Sequence, residues 1–335
     1  MVCAFTHDKN TVLEFYAELD AATNSTVLEI LKKYTSEPYL WFGFHPFNKQ
    51  NSAEALGAVF WCPLKNAFSN MQRRMDIFMA GHNSLQECHD VWVVSMGHLV
   101  GLFDREWLGI PPTGKMTFLP YCEFNRVRKD KISETAMYFD IPHVMMQAGL
   151  SPFPPQTAAH LVRPGPILHD GLLFEEQPAD EGTKTLSLMN TMISDLGDWN
   201  SGLSLKGELR RTWAEDMVWW GPAGIGSTYT IPRYAAQHSG PFRTTLTERS
   251  KTKHVCRMAE GYFGGFFGWP NFTARPTGGF MGMPGTGKSA EFRVIDIYRR
   301  AGEKLAENWV FIDLLHFWNQ QGLDILKRMC GQKSY

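Results

Sequence analysis

An α+β fold, present twice in tandem, is what this sequence of 335 residues predicts. Sliding the chain on itself by 173 residues lays Gly109-Ile110-Pro111-Pro112-Thr113-Gly114-Lys115 over Gly282-Met283-Pro284-Gly285-Thr286-Gly287-Lys288. Thirteen of the 42 ungapped positions, 109–150 against 282–323, are identical, where unrelated sequence gives about two or three. Each copy opens with apolar residues at helical spacing and closes with period-two alternation, the order of an α+β fold and not of repeated βαβ units. Between the copies, residues 151–184 carry Pro-Phe-Pro-Pro, Arg-Pro-Gly-Pro and Glu-Glu-Gln-Pro-Ala-Asp-Glu-Gly, the composition of a linker. The expected boundaries are therefore a first domain over 1–160, a linker over 161–184 and a second domain over 185–335.

Taken in order, Thr11 to Lys33 carries Val12, Phe15, Tyr16 and Leu19, then Val27, Leu28, Ile30 and Leu31, which predicts two short helices broken near Asn24-Ser25. Leu186 to Met217 repeats that arrangement. Aromatic-rich strands and a further helix follow. Upstream of Gly109 the offset drifts to 178, pairing Trp41 with Trp219, Gly43 with Gly221 and Pro63 with Pro241. The extra residues belong in a loop between about Met75 and Met96. The closing hairpins are Met116–Val127 with Ile132–Asp140, and Ala290–Tyr298 with Leu305–Asp313, turning at Arg128-Lys129-Asp130 and within Arg299 to Lys304.

Charge and composition exclude several functions. With 33 Lys plus Arg against 34 Asp plus Glu, the net charge is −1, which offers no field to gather nucleic acid or acidic membrane surfaces. Aromatic residues at 13%, eleven of them Trp, belong to a folded chain. No window reaches about 18 apolar residues and the N-terminus has no secretory pattern, so a cytoplasmic protein without membrane contact is expected. Cys3, Cys62, Cys88, Cys122, Cys256 and Cys330 are scattered, as reduced thiols are. The nearest approach to a metal site, Glu87-Cys88-His89-Asp90, lacks ligand spacing, and neither metal nor cofactor is expected.

One motif misleads. Gly282 to Ser289 satisfies the P-loop pattern G-x-x-x-x-G-K-[ST], yet a P-loop must open into a helix that cradles phosphate. Here Ser-Ala-Glu-Phe-Arg-Val-Ile-Asp-Ile-Tyr follows, which alternates like a strand, and Lys115 of the first copy is followed by Met116. Both segments read as turns between strands. Gly261 to Trp269 is rich in aromatics without interleaved basic residues, so it reads as a glycine-kinked strand and not as a nucleic-acid platform.

In the last strand of the second copy, Glu307, Trp309, Phe311 and Asp313 share one face, and Asn308, Val310 and Ile312 the other. In the first copy Glu134, Ala136, Tyr138 and Asp140 face opposite Thr135, Met137 and Phe139. An Asp among aromatic rings has its charged form disfavoured and suits proton transfer. Asp140 and Asp313 equally suit a helix N-cap, and both readings stand at this level. His143 and His316 lie three residues on, as second proton-transfer groups or as anchors, and Gln147 and Gln320 lie seven on, near the same helical face. Glu134 and Glu307 read as rim residues. His98, Trp41, Trp219, Trp220, His45, His238 and His254 are further candidates for a cavity wall.

These residues carry a family pattern. Trp107-Leu108-Gly109-Ile110-Pro111-Pro112-Thr113-Gly114-Lys115, Lys131-Ile132-Ser133-Glu134, Asp140 and Gln147-Ala148-Gly149 resemble the SnoaL-like polyketide cyclases of the nuclear transport factor 2-like (NTF2-like) superfamily. Met281-Gly282-Met283-Pro284 through Lys288, Glu307-Asn308-Trp309, Asp313 and Gln320-Gln321-Gly322 resemble them again, and Met96-Gly97-His98-Leu99-Val100-Gly101 is similar to the family's glycine-and-histidine strand. The resemblance implies two tandem NTF2-like cone-shaped α+β barrels, each a curved antiparallel sheet wrapped on three helices around an apolar pocket. It also implies ring closure by intramolecular aldol condensation without metal or cofactor, with Asp140 and Asp313 matching the proton-moving Asp. It implies as well an internal pseudo-dimer of the repeats, with further homodimerisation through the sheet open.

The expected function is thus that of a cofactor-independent acid/base enzyme acting on a small apolar or carbonyl-containing molecule. Asp313, Asp140, His316 and His143 would be catalytic. Trp309, Phe311, Trp219, Trp220, Trp269 and Gln320 would line the second pocket, and Tyr138, His98, Trp41 and Gln147 the first. The second copy is favoured for activity because Trp309 stands where the first has Ala136. The alternative is a non-catalytic ligand-binding or assembly protein on a duplicated scaffold.

Overall fold

The computed structural model describes residues 5–86, 90–159, 163–197 and 202–330. The chain forms two compact units: residues 1–152, 167–176 and 323–335, and residues 153–166 with 177–322. The segment expected to be a linker is divided between them, and its end is already helix from Ala179.

In the first unit, α1 (Thr6–Ala21) and α2 (Val27–Tyr34) break at residues 22–26, and β1 (Thr35–Gly43) and β2 (Lys49–Gln50) follow. A continuous helical run comprises α3 (Ala53–Leu56), a π-helical turn over Gly57–Trp61 and α4 (Cys62–Ala67). The strands β3 (Phe68–His82), β4 (Val91–Phe103), β5 (Met116–Arg128) and β6 (Lys131–Phe139) and helix α5 (Ile141–Gln147) complete it. The sheet order is β2-β1-β6-β5-β4-β3, with β6 parallel to β1 and every other pair antiparallel. The β5–β6 turn falls on Lys129 and Asp130, both at positive φ (48° and 61°), the geometry that matches the twist of a tight hairpin.

The second unit repeats this plan. It contains α6 (Ala179–Gly197), α7 (Leu205–Thr212), β7 (Trp213–Trp220), β8 (Thr228–Tyr229), α8 (Ile231–Tyr234), a π-helical turn (Ala235–Ser239) and α9 (Gly240–Thr245). Next come β9 (Leu246–Thr247), β10 (Cys256–Glu260), β11 (Phe263–Pro276), β12 (Ala290–Ala301), β13 (Lys304–Ile312) and α10 (Leu314–Gln320). Its order, β8-β7-β13-β12-β11-β10, reproduces the first sheet, including one parallel pair, β13 with β7. Each unit is therefore a curled sheet with four helical segments, one more than the resemblance implies, and the fold class is the expected α+β. A last helix, α11 (Ile325–Cys330), belongs to the first unit.

Element boundaries refine the sequence reading in the second unit. The second helical region starts at Ala179, and Trp213–Met217 is already strand. The length change falls in the β3–β4 connection, residues 83–90, against two residues, 261–262, between β10 and β11. Strand β3 is unbroken, whereas its counterpart is split into β9 and β10 with irregular chain over 248–255. The P-loop-like segment runs into β12 and not a helix. Among the described residues no helix is long and apolar enough to cross a membrane, and no group of three or more His, Cys, Asp or Glu could hold a metal ion. Glu87, Cys88 and His89 lie outside the described residues.

A charged network occupies part of the interior of the first unit. Arg73 of β3 points inward with its side chain 2% exposed, and its Nη1 donates to Glu123 Oε2 on β5 at 3.0 Å. Its guanidinium lies 3.8 Å from the Tyr16 ring centroid and 4.8 Å from that of Tyr121. Asn125 Nδ2 donates to the Tyr16 hydroxyl and Thr135 Oγ1 donates to Asn125 Oδ1, which extends the network across β6. Removing one partner of a buried pair strands the other charge. Arg73→Met should therefore lower the stability of the first unit in urea unfolding by about 3–5 kcal/mol, and adding Glu123→Leu should recover most of it. Equal losses in the single and double variants would contradict this account.

Candidate active site in the second unit

The repeated carboxylates are caps. Asp140 and Asp313 are the N-cap residues of α5 and α10, and each Oδ1 accepts the backbone N–H three residues on, from His143 and His316, at 3.1 Å. The other oxygen of Asp313 lies 3.3 Å from Arg293 Nη1. Neither Asp is in the lining of a cavity described among these residues. The glutamines complete the device, because Gln147 accepts from the Phe118 N–H and donates to its carbonyl, and Gln320 does the same with Glu291. The Asp-x-x-His-x-x-x-Gln repeat thus fastens each closing helix to a strand. His143 sits against Gln147, and His316 lies 3.4 Å from Glu291. The capping expected of Asp140 and Asp313 is thus present in both copies, where it satisfies otherwise orphaned N–H groups.

The phase of β13 decides which of its residues meet the cavity. Asn308, Val310 and Ile312 line a partly open cavity of this unit, and Trp309 and Phe311 are not in its lining. Trp309 Nε1 donates to Pro164 O at 2.8 Å, and Phe311 packs under the Arg163 guanidinium. Trp269 stacks against Arg293 at 3.7 Å, and Trp220 is outside the lining while its neighbour Trp219 is inside it. In the first unit Tyr138 packs on Phe44, Trp41 on Phe60, and His98 sits 3.4 Å from Asp76. Of the residues singled out as catalytic or substrate-binding, only Trp219 reaches the cavity, joined there by the looser candidates His238 and His254.

That cavity holds about 120 Å³. Strand β12 supplies Phe292, Val294, Asp296 and Tyr298 by its two-residue period. The helical run over 231–245 contributes Tyr234, His238 and Phe242, and the irregular 248–255 segment contributes Arg249, Thr252 and His254. Trp219 stacks on His238 with centroids 4.0 Å apart. The walls combine aromatic and aliphatic side chains with a substantial polar share, namely Asp296, Asn308, Asn271, Ser239, Thr252 and the guanidiniums of Arg243 and Arg249.

Asp296 is the unusual residue. It lies at the middle of a strand that is otherwise apolar on this face, and Asn308 Nδ2 donates to its Oδ1 at 3.1 Å. Burial pushes its carboxyl up to about 7, against hydrogen bonds from Asn308 and Tyr298 that favour the charged form. Part of its surface faces the free space of the cavity while protein surrounds it otherwise. Burial also pushes His238 down to about 3, so this imidazole is neutral at pH 7. Offset by 173, Asp296 corresponds to Glu123, so the first unit keeps a carboxylate here but neutralises it with Arg73. Sequence reasoning passed over Asp296, although one acid among Phe292, Val294 and Tyr298 at alternate positions was a readable signal.

A carboxyl whose folded pKa exceeds its unfolded value makes stability fall as pH rises from the unfolded pKa to the folded one. The penalty is small below about pH 4 and complete above about pH 7. Asp296→Asn should therefore stabilise the second unit in urea unfolding at pH 8 and change it little at pH 4. Asp313→Ala, which removes a cap, should destabilise at both pH values by at least about 1 kcal/mol. A pH-independent effect of Asp296→Asn would contradict the assignment.

Residues 270–321 match the family model described as SnoaL-like polyketide cyclase. No curated protein matches the chain. Among solved structures, a candidate SnoaL-like polyketide cyclase from Jannaschia sp. CCS1 is 19% identical, covers 45% of this chain and 94% of its own, and has a TM-score of 0.37. An NTF2-like protein from Burkholderia xenovorans LB400 is 17% identical over 42% of this chain and 96% of its own, with a TM-score of 0.34. IdmH, a candidate polyketide cyclase from Streptomyces antibioticus, is 16% identical over 42% of this chain and 99% of its own, with a TM-score of 0.33.

Proposed function

We propose that this chain, SnoaL-like over residues 270–321 and built as two NTF2-like units, is a cofactor-independent acid/base enzyme whose reaction takes place in the second unit. Asp296 is the proton-transfer group. The observation that carries this reading is a carboxyl poised near neutrality inside a cavity lined in part by aromatic rings. A base with its pKa near the working pH combines availability with proton-transfer strength, and water-poor walls strengthen its interactions with the substrate. Asn308 and Tyr298 hold its orientation.

The substrate class follows from the walls. A dry cavity of roughly 150 Å³ accepts benzene, so about 120 Å³ suits the reacting ring-sized portion of a largely apolar carbonyl compound. Removal of a proton beside the carbonyl gives an enolate, which can close a ring or shift a double bond without redox change. The first unit, with Arg73 and Glu123 occupying its interior, serves as a non-catalytic copy, so the assembly reading applies to half of the chain.

Exchange of the α-protons of acetophenone in D₂O, followed by NMR, tests the proposal. The protein should accelerate exchange, with a rate that rises through about pH 7 as Asp296 ionises. Asp296→Asn should reduce it by about 10²-fold or more, as loss of a general base does, whereas folded Asp313→Asn should retain it. Exchange that is absent, or indifferent to Asp296→Asn, would overturn the assignment.

A further inference from the structure

Asp296 can remove a proton, but the charge that then develops on the carbonyl oxygen needs a hydrogen-bond donor fixed in place beforehand. His254, just before β10, lines the same cavity as Asp296. Its ring lies flat on Phe266, centroids 3.8 Å apart and 13° from parallel, and Phe266 is the cross-strand partner of Asp296. All three line the cavity. The Nδ1 of His254 lies 2.8 Å from Nη2 and 3.2 Å from Nε of Arg257. A guanidinium only donates, so Nδ1 carries the lone pair and the ring hydrogen sits on Nε2. Arg257 is itself held by Asn190 Oδ1 at 2.7 Å. The Nε2 atom is buried and has no hydrogen-bond partner within the protein.

We propose that His254, locked by Arg257 as the neutral Nε2–H tautomer, is the donor that holds the enolate oxygen formed in this cavity. The inference rests on the reading of Asp296 as the base. The Asp296 carboxylate takes the α-proton, the C–H electron pair becomes the second bond of C=C, and the carbonyl π pair moves onto oxygen. That oxygen accepts a hydrogen bond from Nε2–H without proton transfer. The enolate carbon then attacks a second carbonyl carbon of the same substrate, and the resulting alkoxide recovers the proton from Asp296. Nothing is oxidised and no co-reactant is consumed. Arg257 acts as a positioning residue, not a catalytic one. Burial, aided by the charges of Arg257 and Arg249, pushes His254 down to about 3, which keeps the donor neutral and leaves the proton with Asp296.

The test uses the full chain and 4-nitrophenol, whose phenolate oxygen imitates an enolate oxygen. Asp296→Asn, which removes the competing negative charge, should bind the phenolate, read by its visible absorbance. Adding His254→Phe, which keeps the stack on Phe266, should weaken binding at least tenfold. Arg257→Leu in the same background should weaken it too, and Arg257→Lys, which still only donates to Nδ1, should restore it. Nitrogen-15 NMR of His254 in the unsubstituted protein should show the neutral Nε2–H tautomer from pH 8 to pH 5. Phenolate binding indifferent to His254→Phe, an Nδ1–H tautomer, or titration near the ordinary histidine value would overturn this inference and leave Asp296 standing. Failure of every variant to bind the phenolate, together with absent acetophenone exchange, would overturn both readings.

Discussion

The register of the closing hairpin in the second unit fixes what the cavity contains. Pairing of β12 with β13 sets Asp296 opposite Val310 and Tyr298 opposite Asn308, so the acid and both of its hydrogen-bond partners face inward together. Strand side chains alternate with a period of two, and a slip of one residue would exchange this set for Ile295, Ile297, Trp309 and Phe311. The caps at Asp313 and Gln320 clamp the end of that hairpin to α10. Residues that never touch the cavity thus determine which face of the strand reaches it.

The same scaffold carries two different interiors. At the position of Asp296 the first unit has Glu123, but an unbroken β3 delivers Arg73 to it. In the second unit the corresponding strand is interrupted over 248–255, and that irregular chain brings Thr252, Arg249 and His254 to the wall. Burial pushes both carboxyls up, but the Arg73 guanidinium opposes that rise at Glu123, whereas Asp296 is opposed only by hydrogen bonds from Asn308 and Tyr298. The two copies thus differ in whether β3 or an interrupted counterpart supplies the groups around this carboxylate.

Much of the fold was legible in the residues. The 173-residue offset, the helix break near Asn24 and the turn at Lys129-Asp130 all rest on local signals, namely period, punctuation and identity between copies. The site was less legible for a physical reason. Identity between the copies marks what both units need, and both need a capped, fastened closing helix, so the Asp-x-x-His-x-x-x-Gln repeat stands out. The proposed site lies where they differ: Asp296 against Glu123, and an interrupted strand against a continuous one. Phase along β13 was also ambiguous from sequence, since Trp309 and Phe311 are as apolar as Val310 and Ile312, and only tertiary packing decides which pair faces the cavity.

The central claim is that the second unit holds a carboxyl poised near neutrality, and carbon-13 NMR titration of the Asp296 carboxyl carbon in the full chain tests it most directly. The structure predicts a midpoint of about 7, with the assignment made by loss of the signal in Asp296→Asn. A midpoint at the ordinary aspartate value of about 4 would contradict the account, because Asp296 would then be a solvated or ion-paired carboxylate with no special place in the chemistry.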